Sequence, residues 1–282
     1  MSEILLGKKT EYKNKYSPEI LCPIPRKDAR EKFEINAKFF GYDIWNCYEI
    51  YWLDPKGKPQ VRIAEIIIPI DSENIIESKS LKLYLFSLMN ERFKSSDEFA
   101  KIVKQDLQKN LECEIILKLW KIEDYEKSKL SKFNGTCIDD LDVEYLEEKI
   151  EQETKNHQID NSNNIIKIDN TTKSRQEIYS NLLKSNCLIT SQPDFASIYI
   201  NYEGDKIDNK SLLKYIISFK DEDMFHEHCT EKIFQDILKR ANCTNLTIYT
   251  RYTRRGGIDI NPIRSLEKIK NPEELNIRLP RQ

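Results

Sequence analysis

Cys187 and Asp194 stand seven residues apart in Ser185-Asn186-Cys187-Leu188-Ile189-Thr190-Ser191-Gln192-Pro193-Asp194. A thiolate attacks electrophilic carbon and a carboxylic acid donates a proton, so the pair holds the parts of covalent catalysis with its own acid. Most cysteines are small buried hydrophobes, and spacing alone makes Cys187 one candidate among seven. Cys137, in Phe133-Asn134-Gly135-Thr136-Cys137-Ile138-Asp139-Asp140, has equally polar company. Cys113 and Cys243 fall where helices meet strands and read as packing.

His and Cys cluster in Phe225-His226-Glu227-His228-Cys229. Zinc ligands on a helix sit three or four residues apart on one face; His226 and His228 are two apart and diverge. No second Cys/His pair completes a tetrahedral site, so no metal is assigned. Glu227 reads as a favourable charge at a helix start or as an acceptor for the N–H groups of a base. Tyr252-Thr253-Arg254-Arg255-Gly256-Gly257 and Glu77-Ser78-Lys79-Ser80-Leu81-Lys82 gather cations, hydroxyls and turn amides. Separately they read as a charged hairpin tip and a solvated first helical turn. Together they favour phosphate recognition. The seven glycines spell neither Gly-x-Gly-x-x-Gly nor a P-loop.

The elements that must position these residues follow from periodicity. Ile44 to Leu53 alternates, with Ile44, Tyr48, Ile50 and Trp52 on one face and Trp45, Cys47, Tyr51 and Leu53 on the other. Asp54 to Pro59 turns into a second β-rich run, Val61 to Ile70. Leu81, Tyr84, Leu85 and Leu88 make Glu77 to Asn90 largely helical. Ser95 and Glu98 fit a capping box opening a second helix. Cys113 to Trp120 is a strand, and a short one follows Gly135. The second half repeats the order: alternation over Ala196 to Tyr202, helical stripes at Leu212 to Phe219 and Cys229 to Ala241, then strands at Leu246 to Tyr252 and Ile258 to Arg264. A repeat of this length is a duplicated domain rather than a solenoid. The expected boundary divides the chain into 1–145 and 146–282, with an exposed, polar linker at about 151–176.

Composition excludes other classes. With 45 Lys and Arg against 47 Asp and Glu there is no global basic field for nucleic acid. No apolar run approaches a membrane span, and the polar N-terminal stretch does not read as a signal peptide. An odd number of cysteines without Cys-x-x-Cys fits free thiols in the reducing cytoplasm.

Seven segments in this order resemble the long, two-domain form of the NADPH-dependent 7-cyano-7-deazaguanine reductases. They are Asp43-Ile44-Trp45, Ile76 to Tyr84, Phe133 to Asp140, Leu183 to Thr190, Gln192-Pro193-Asp194, Phe225-His226-Glu227 and Tyr252 to Gly257. Glu77-Ser78-Lys79-Ser80-x-Lys82 is the signature separating that family from its zinc-dependent cyclohydrolase relatives. The resemblance implies an α+β fold of two tandem tunnelling-fold domains, each an antiparallel four-stranded sheet with two helices on one face. It implies Cys187 as nucleophile and Asp194 as proton donor. Ile76, Glu77, Ser78, His226 and Glu227 fall at substrate-binding positions, and Ser78, Lys79, Arg255 and Gly256 at NADPH positions. The implied partners are a small-molecule base and a second copy of the chain, with no direct nucleic acid and no membrane. The competing readings are a zinc cyclohydrolase-like enzyme on the same fold and a non-catalytic nucleotide- or RNA-binding module using Arg254, Arg255, Tyr249 and Tyr252.

Overall fold

A computed structural model describes residues 15–125, 129–144 and 165–282. In chain order the elements are β1 (Pro23–Pro25), α1 (Arg26–Lys32), β2 (Phe40–Leu53), β3 (Pro59–Pro69), β4 (Asn74–Ile76), α2 (Ser78–Ser87), α3 (Ser96–Leu111), β5 (Ile116–Trp120), β6 (Thr136–Cys137), β7 (Ile168–Asn186), β8 (Pro193–Ile207), α4 (Asn209–Ile217), α5 (His226–Arg240), β9 (Asn245–Tyr252) and β10 (Ile258–Ser265).

The α+β reading holds, but two separate four-stranded sheets do not form. One eight-stranded sheet runs β5-β3-β2-β10-β9-β8-β7-β6, beside a two-stranded sheet of β1 and β4. The second half supplies the four antiparallel strands β7 to β10. The first half supplies three, β2, β3 and β5. The reason is the pairing of β2 with β10, which runs from Phe40↔Ser265 to Cys47↔Ile258. Two exposed sheet edges are thereby joined, which removes unpaired backbone groups from both. β6 adds a short parallel pairing to β7.

The β2–β3 hairpin forms as expected, with Asp54 Oδ1 accepting from the Lys56 and Lys58 amides at 2.9 Å each. Its facing differs from strict alternation. Cys47 pairs with Ala64 but Ile50 pairs with Arg62, so β2 carries one extra residue in a bulge. The bulge reverses the phase, and Ile50 and Trp52 join Trp45 and Cys47 in one buried cluster with α2 and α3. Ser95 caps α3 by accepting the Glu98 amide at 3.2 Å, as the capping box predicts. A separate cluster packs α4 and α5 against β7, β8 and β9. Within the linker expected at 151–176, residues 151–164 lie outside the described residues. From Ile168 onward it is strand β7, largely exposed and paired with β8. Its polar composition hid it, because that stretch meets solvent on both faces. Among the described residues no helix is long and apolar enough to cross a membrane.

Charge seals the join between the halves. Arg264 on β10 reaches Asp43 on β2 at 2.8 Å and Glu231 on α5 at 3.0 Å. Arg26 bonds Asp43 at 2.6 Å, and Arg30 on α1 bonds Glu231 at 2.8 Å. Burial pushes the Glu231 carboxyl up, but Arg264, Arg30 and Arg26 outweigh it and hold it down at about 2. Asp43 is lowered against the same burial by Arg264 and Arg26. Across the sheet, Asn276 donates to Asn46 at 2.8 Å and to Glu65 at 2.5 Å, and accepts from Arg251 at 2.9 Å. The segment after β10 thus bridges the same join from the opposite face.

Removing one member of a buried ion group leaves its partners uncompensated, which costs about 3–5 kcal/mol. Glu231→Gln is therefore expected to lose about that much in urea unfolding at neutral pH. A carboxyl whose folded pKa is depressed stabilises the fold fully above its unfolded value. The wild-type contribution should thus be lost as pH falls from about 4.5 to about 2, and the variant should lack that acid-dependent part of the unfolding curve.

Candidate active site

Four elements of the second half meet at one end of the strands, where β7 and β9 finish and β8 and α5 begin. β7 and β8 are joined by a turn in which the Cys187 amide donates to the Gln192 carbonyl at 2.8 Å and the Ser191 amide to the Cys187 carbonyl at 2.9 Å. Ser191 takes the left-handed conformation, φ 50°. The Asn186 amide donates to the Glu222 carbonyl at 2.8 Å and the Met224 amide to the Asn186 carbonyl at 3.0 Å, tying the start of α5 to the end of β7. The Thr253 amide donates to the Phe195 carbonyl at 2.8 Å, tying the end of β9 to the start of β8. Backbone hydrogen bonds therefore place Cys187, Asp194, His226 and Arg255 together, although 68 positions separate the first from the last in the sequence.

Asp194 is buried and doubly partnered. His226 Nε2 lies 3.1 Å from its Oδ2, and Arg255 Nη1 pairs with its Oδ1. Burial favours the neutral acid, but the His226 and Arg255 contacts outweigh it and hold the carboxyl below its ordinary range. Asp194 is thus a carboxylate in the free protein, an acceptor before it is a donor. The His226 ring lies flat on Tyr252, with centroids 3.7 Å apart and planes at 9°. Stacking fixes the imidazole plane, and its buried Nδ1 has no hydrogen-bond partner. Glu227, in the first turn of α5, is buried and pushed up to about 7, by burial first and then by the negative charge of Asp43; His226 and Arg26 oppose both. His228 diverges from His226 as its spacing requires. Burial drives it down to about 4, in the surroundings of Glu231 and Arg26.

The first half reaches this end of the strands through α2. Lys82 Nζ sits against Gly256, where an added Cβ would lie 2.6 Å from it, and 3.6 Å from Glu49 Oε2. Gly256 and Gly257 take φ 56° and 78°, the two positive values a tight hairpin turn needs, and Arg255 and Ile258 close it by mutual backbone bonds. Arg254 lies 3.5 Å over the Tyr48 ring, its Nε and Nη2 buried without a hydrogen-bond partner. Glu77 caps α2, its two oxygens accepting from the Lys79 amide at 2.9 Å and the Ser80 amide at 2.7 Å, with burial raising its pKa. Ile76 and Glu77 are buried, Lys79 is half-buried and Ser78 is exposed. The sequence alone does not mark Tyr252 as the plate beneath His226, nor Gln192 as the second partner of Arg255. The signals were present: Tyr252 ends an alternating strand next to the arginines, and Gln192 precedes Pro193-Asp194.

Comparison with known proteins converges on one family. A model described as nitrile reductase, 7-cyano-7-deazaguanine-reductase N-term, matches residues 12–119, and one described as QueF-like protein matches residues 193–271. Cys187 falls between the two matches. The NADPH-dependent 7-cyano-7-deazaguanine reductase of Desulfotalea psychrophila is 43% identical over 99% of this chain and 97% of its own length. The protein of the same name from Paraburkholderia phymatum is 42% identical over 98% and 97%. A solved structure, the archaeosine synthase QueF-Like in the apo form, aligns over 35% of this chain and 96% of its own, at 13% identity and a TM-score of 0.30, too slight a likeness to bear on the fold.

Thiol reactivity should separate the cysteines. Cys137 is exposed and Cys187 half-buried. Burial pushes Cys229 and Cys243 up to about 12 and Cys47 higher still. Only thiolates alkylate at useful rates. Brief iodoacetamide treatment at neutral pH, read by peptide mass mapping, is expected to modify Cys187 and Cys137 and to reach Cys47 and Cys229 only after unfolding.

Proposed function

This chain belongs to the NADPH-dependent 7-cyano-7-deazaguanine reductase family, and from that premise we infer how its residues divide the chemistry. The reaction is the NADPH-dependent reduction of 7-cyano-7-deazaguanine in queuosine biosynthesis. The observation that carries the assignment of roles is the convergence of the Cys187 turn, the Asp194–His226–Arg255 group and the first turn of α5, with buried Glu227, at one end of the strands.

Glu227 accepts the adjacent ring N–H and exocyclic NH2 of the guanine-like base, a bidentate charge-assisted contact. Its position at a helix N-terminus favours the ionised form that this contact needs. His226, held flat by Tyr252, lies beside the base, and Glu77, Ser78 and Ile76 complete the pocket from the first half. Cys187 adds to the nitrile carbon. A free nitrile is a poor hydride acceptor; the thioimide formed on Cys187 has a C=N bond that takes a proton and then a hydride. Asp194, ionised at the outset, accepts the thiol proton and delivers it to the nitrile nitrogen, with His226 as its hydrogen-bonded partner.

Lys82, set against Gly256, with Arg255 and the Gly256–Gly257 turn, fits a cofactor phosphate. Lys79, Ser78 and Gly256 belong to the same surface. NADPH supplies hydride when bound, two for each nitrile taken to an amine. We read the continuous sheet as two tunnelling-fold halves fused edge to edge, with the domain boundary at residues 145–146. Leu182, Leu188 and Phe195, exposed around the Cys187 turn, support burial against a second copy in a homodimer. An odd number of cysteines with no Cys-x-x-Cys among them supports a cytoplasmic protein.

Two outcomes check these roles. Wild-type protein mixed with the nitrile base and no NADPH should gain the mass of one substrate. Cys187→Ala should show no gain, while Cys137→Ala should retain it. Glu227 must be ionised to bind the base, and its carboxyl sits at about 7. Base affinity for Cys187→Ala, measured by calorimetry from pH 5 to pH 8, should therefore be full above about 7 and fall about tenfold per unit below it. Glu227→Gln should bind weakly at every pH.

A further inference from the structure

In the free protein the Arg255 guanidinium is committed to the nucleophile's turn. Nη1 pairs with Asp194 and Nη2 donates to Gln192 Oε1. Gln192 is also the residue whose carbonyl accepts the Cys187 amide, so Arg255 holds the far end of the turn at Asp194 and at the residue that carries the Cys187 amide bond. The clamp is solvent-accessible on one side only: the Arg255 side chain is 37% exposed and that of Asp194 only 3%. Arg255 can leave without disturbing the core, and Asp194 cannot follow. Yet Arg255 opens the glycine turn against which Lys82 sits, where the cofactor's phosphate fits.

The reaction asks two things of Asp194. Adduct formation converts R–C≡N and Cys187–SH to R–C(=NH)–S–Cys187. The S–H bond breaks, the C–S bond forms, and the proton moves to nitrogen, so Asp194 must begin ionised. Each later reduction places a hydride on carbon, oxidises NADPH to NADP+, and requires a proton on nitrogen. There the acid must arrive protonated.

We propose that Arg255 is a cofactor-responsive switch on Asp194: it holds the carboxylate in the free protein and passes to the cofactor's phosphate on binding, leaving Asp194 to act as proton donor. This rests on the reductase reading above. Four groups surround Asp194. His226 approaches from α5 and Arg255 from the β9–β10 turn, with Tyr252 and Cys229 behind. Burial keeps Tyr252 and Cys229 neutral, Cys229 at about 12. Arg255 is thus the one permanent charge in the group. Once it leaves, burial, which favours the neutral acid, is opposed only by His226. Arg255 is here a positioning residue, acting on the substrate through Asp194.

The test is a carboxyl 13C NMR titration of the full chain, with Asp194 assigned through Asp194→Asn and adenosine 2′,5′-bisphosphate as the phosphate probe. In wild type the Asp194 midpoint should lie below the ordinary carboxylate range and rise by about one unit or more at saturating probe. Arg255→Ala should show the raised midpoint without probe and no response to it. Arg255→Lys, which keeps the charge, should stay low without probe, and Gln192→Ala should move partway up. A wild-type midpoint that ignores bound probe, an Arg255→Ala midpoint equal to wild type, or failure of the probe to bind wild type would each overturn the switch. Absence of a mass adduct with the nitrile base would instead sink the reductase reading, because the titration needs no substrate.

Discussion

The Arg264 guanidinium, wholly buried between Asp43 and Glu231, is the contact on which the rest of the molecule depends. It joins a strand of each half and α5, the helix that carries His226 and Glu227. Desolvating an arginine is expensive unless it is fully paired. Here it is met by two carboxylates, each shared with another arginine, Arg26 or Arg30. The pairing of β2 with β10 supplies the backbone frame, and the charges fix how α5 lies upon it. The first turn of α5 holds His226 and Glu227, so the join between halves and the geometry of the site are one construction.

That arrangement has an electrostatic consequence. Glu231, deep in α5, is surrounded by arginines and ionised down to about pH 2, while Glu227, one turn earlier, is raised to about 7. Both are buried; they differ in their company. Glu231 meets Arg264 and Arg30, whereas Glu227 meets the negative charge of Asp43 with only partial relief from His226 and Arg26. One helix therefore carries a structural carboxylate that never changes state near neutrality and a second one that gains or loses its proton there. Asp194 is tuned by the same means, through contacts that open to solvent on the arginine's side.

Much of this was legible in the sequence, and what escaped has physical reasons. Helices α2, α3, α4 and α5 follow from apolar spacing because each buries one face against the sheet. The capping role of Ser95 follows from side-chain chemistry alone. The phase of β2 beyond Cys47 did not, because a single-residue bulge leaves no periodic mark and yet moves Ile50 and Trp52 to the other face. The outer part of β7 was hidden because its exposed positions carry Asp, Asn, Thr, Lys and Arg. The edge-to-edge join was invisible because pairing partners 220 or so positions apart cannot be read from local pattern. In the site, Cys187, Asp194 and His226 were legible through their segments. The Tyr252 stack and the Gln192 contact depend on which side chains the turn brings into reach.

The reaction proposed for this site carries a nitrile all the way to an amine on a single cysteine. Full reduction takes two hydrides, whereas a hydrolytic or ring-opening enzyme on a similar frame takes none. The most direct measurement is the ratio of NADPH oxidised, followed by absorbance, to 7-aminomethyl-7-deazaguanine formed, quantified in the same reaction. The account predicts a ratio approaching two. A ratio near one, or an aldehyde or free imine as the main product, would contradict it.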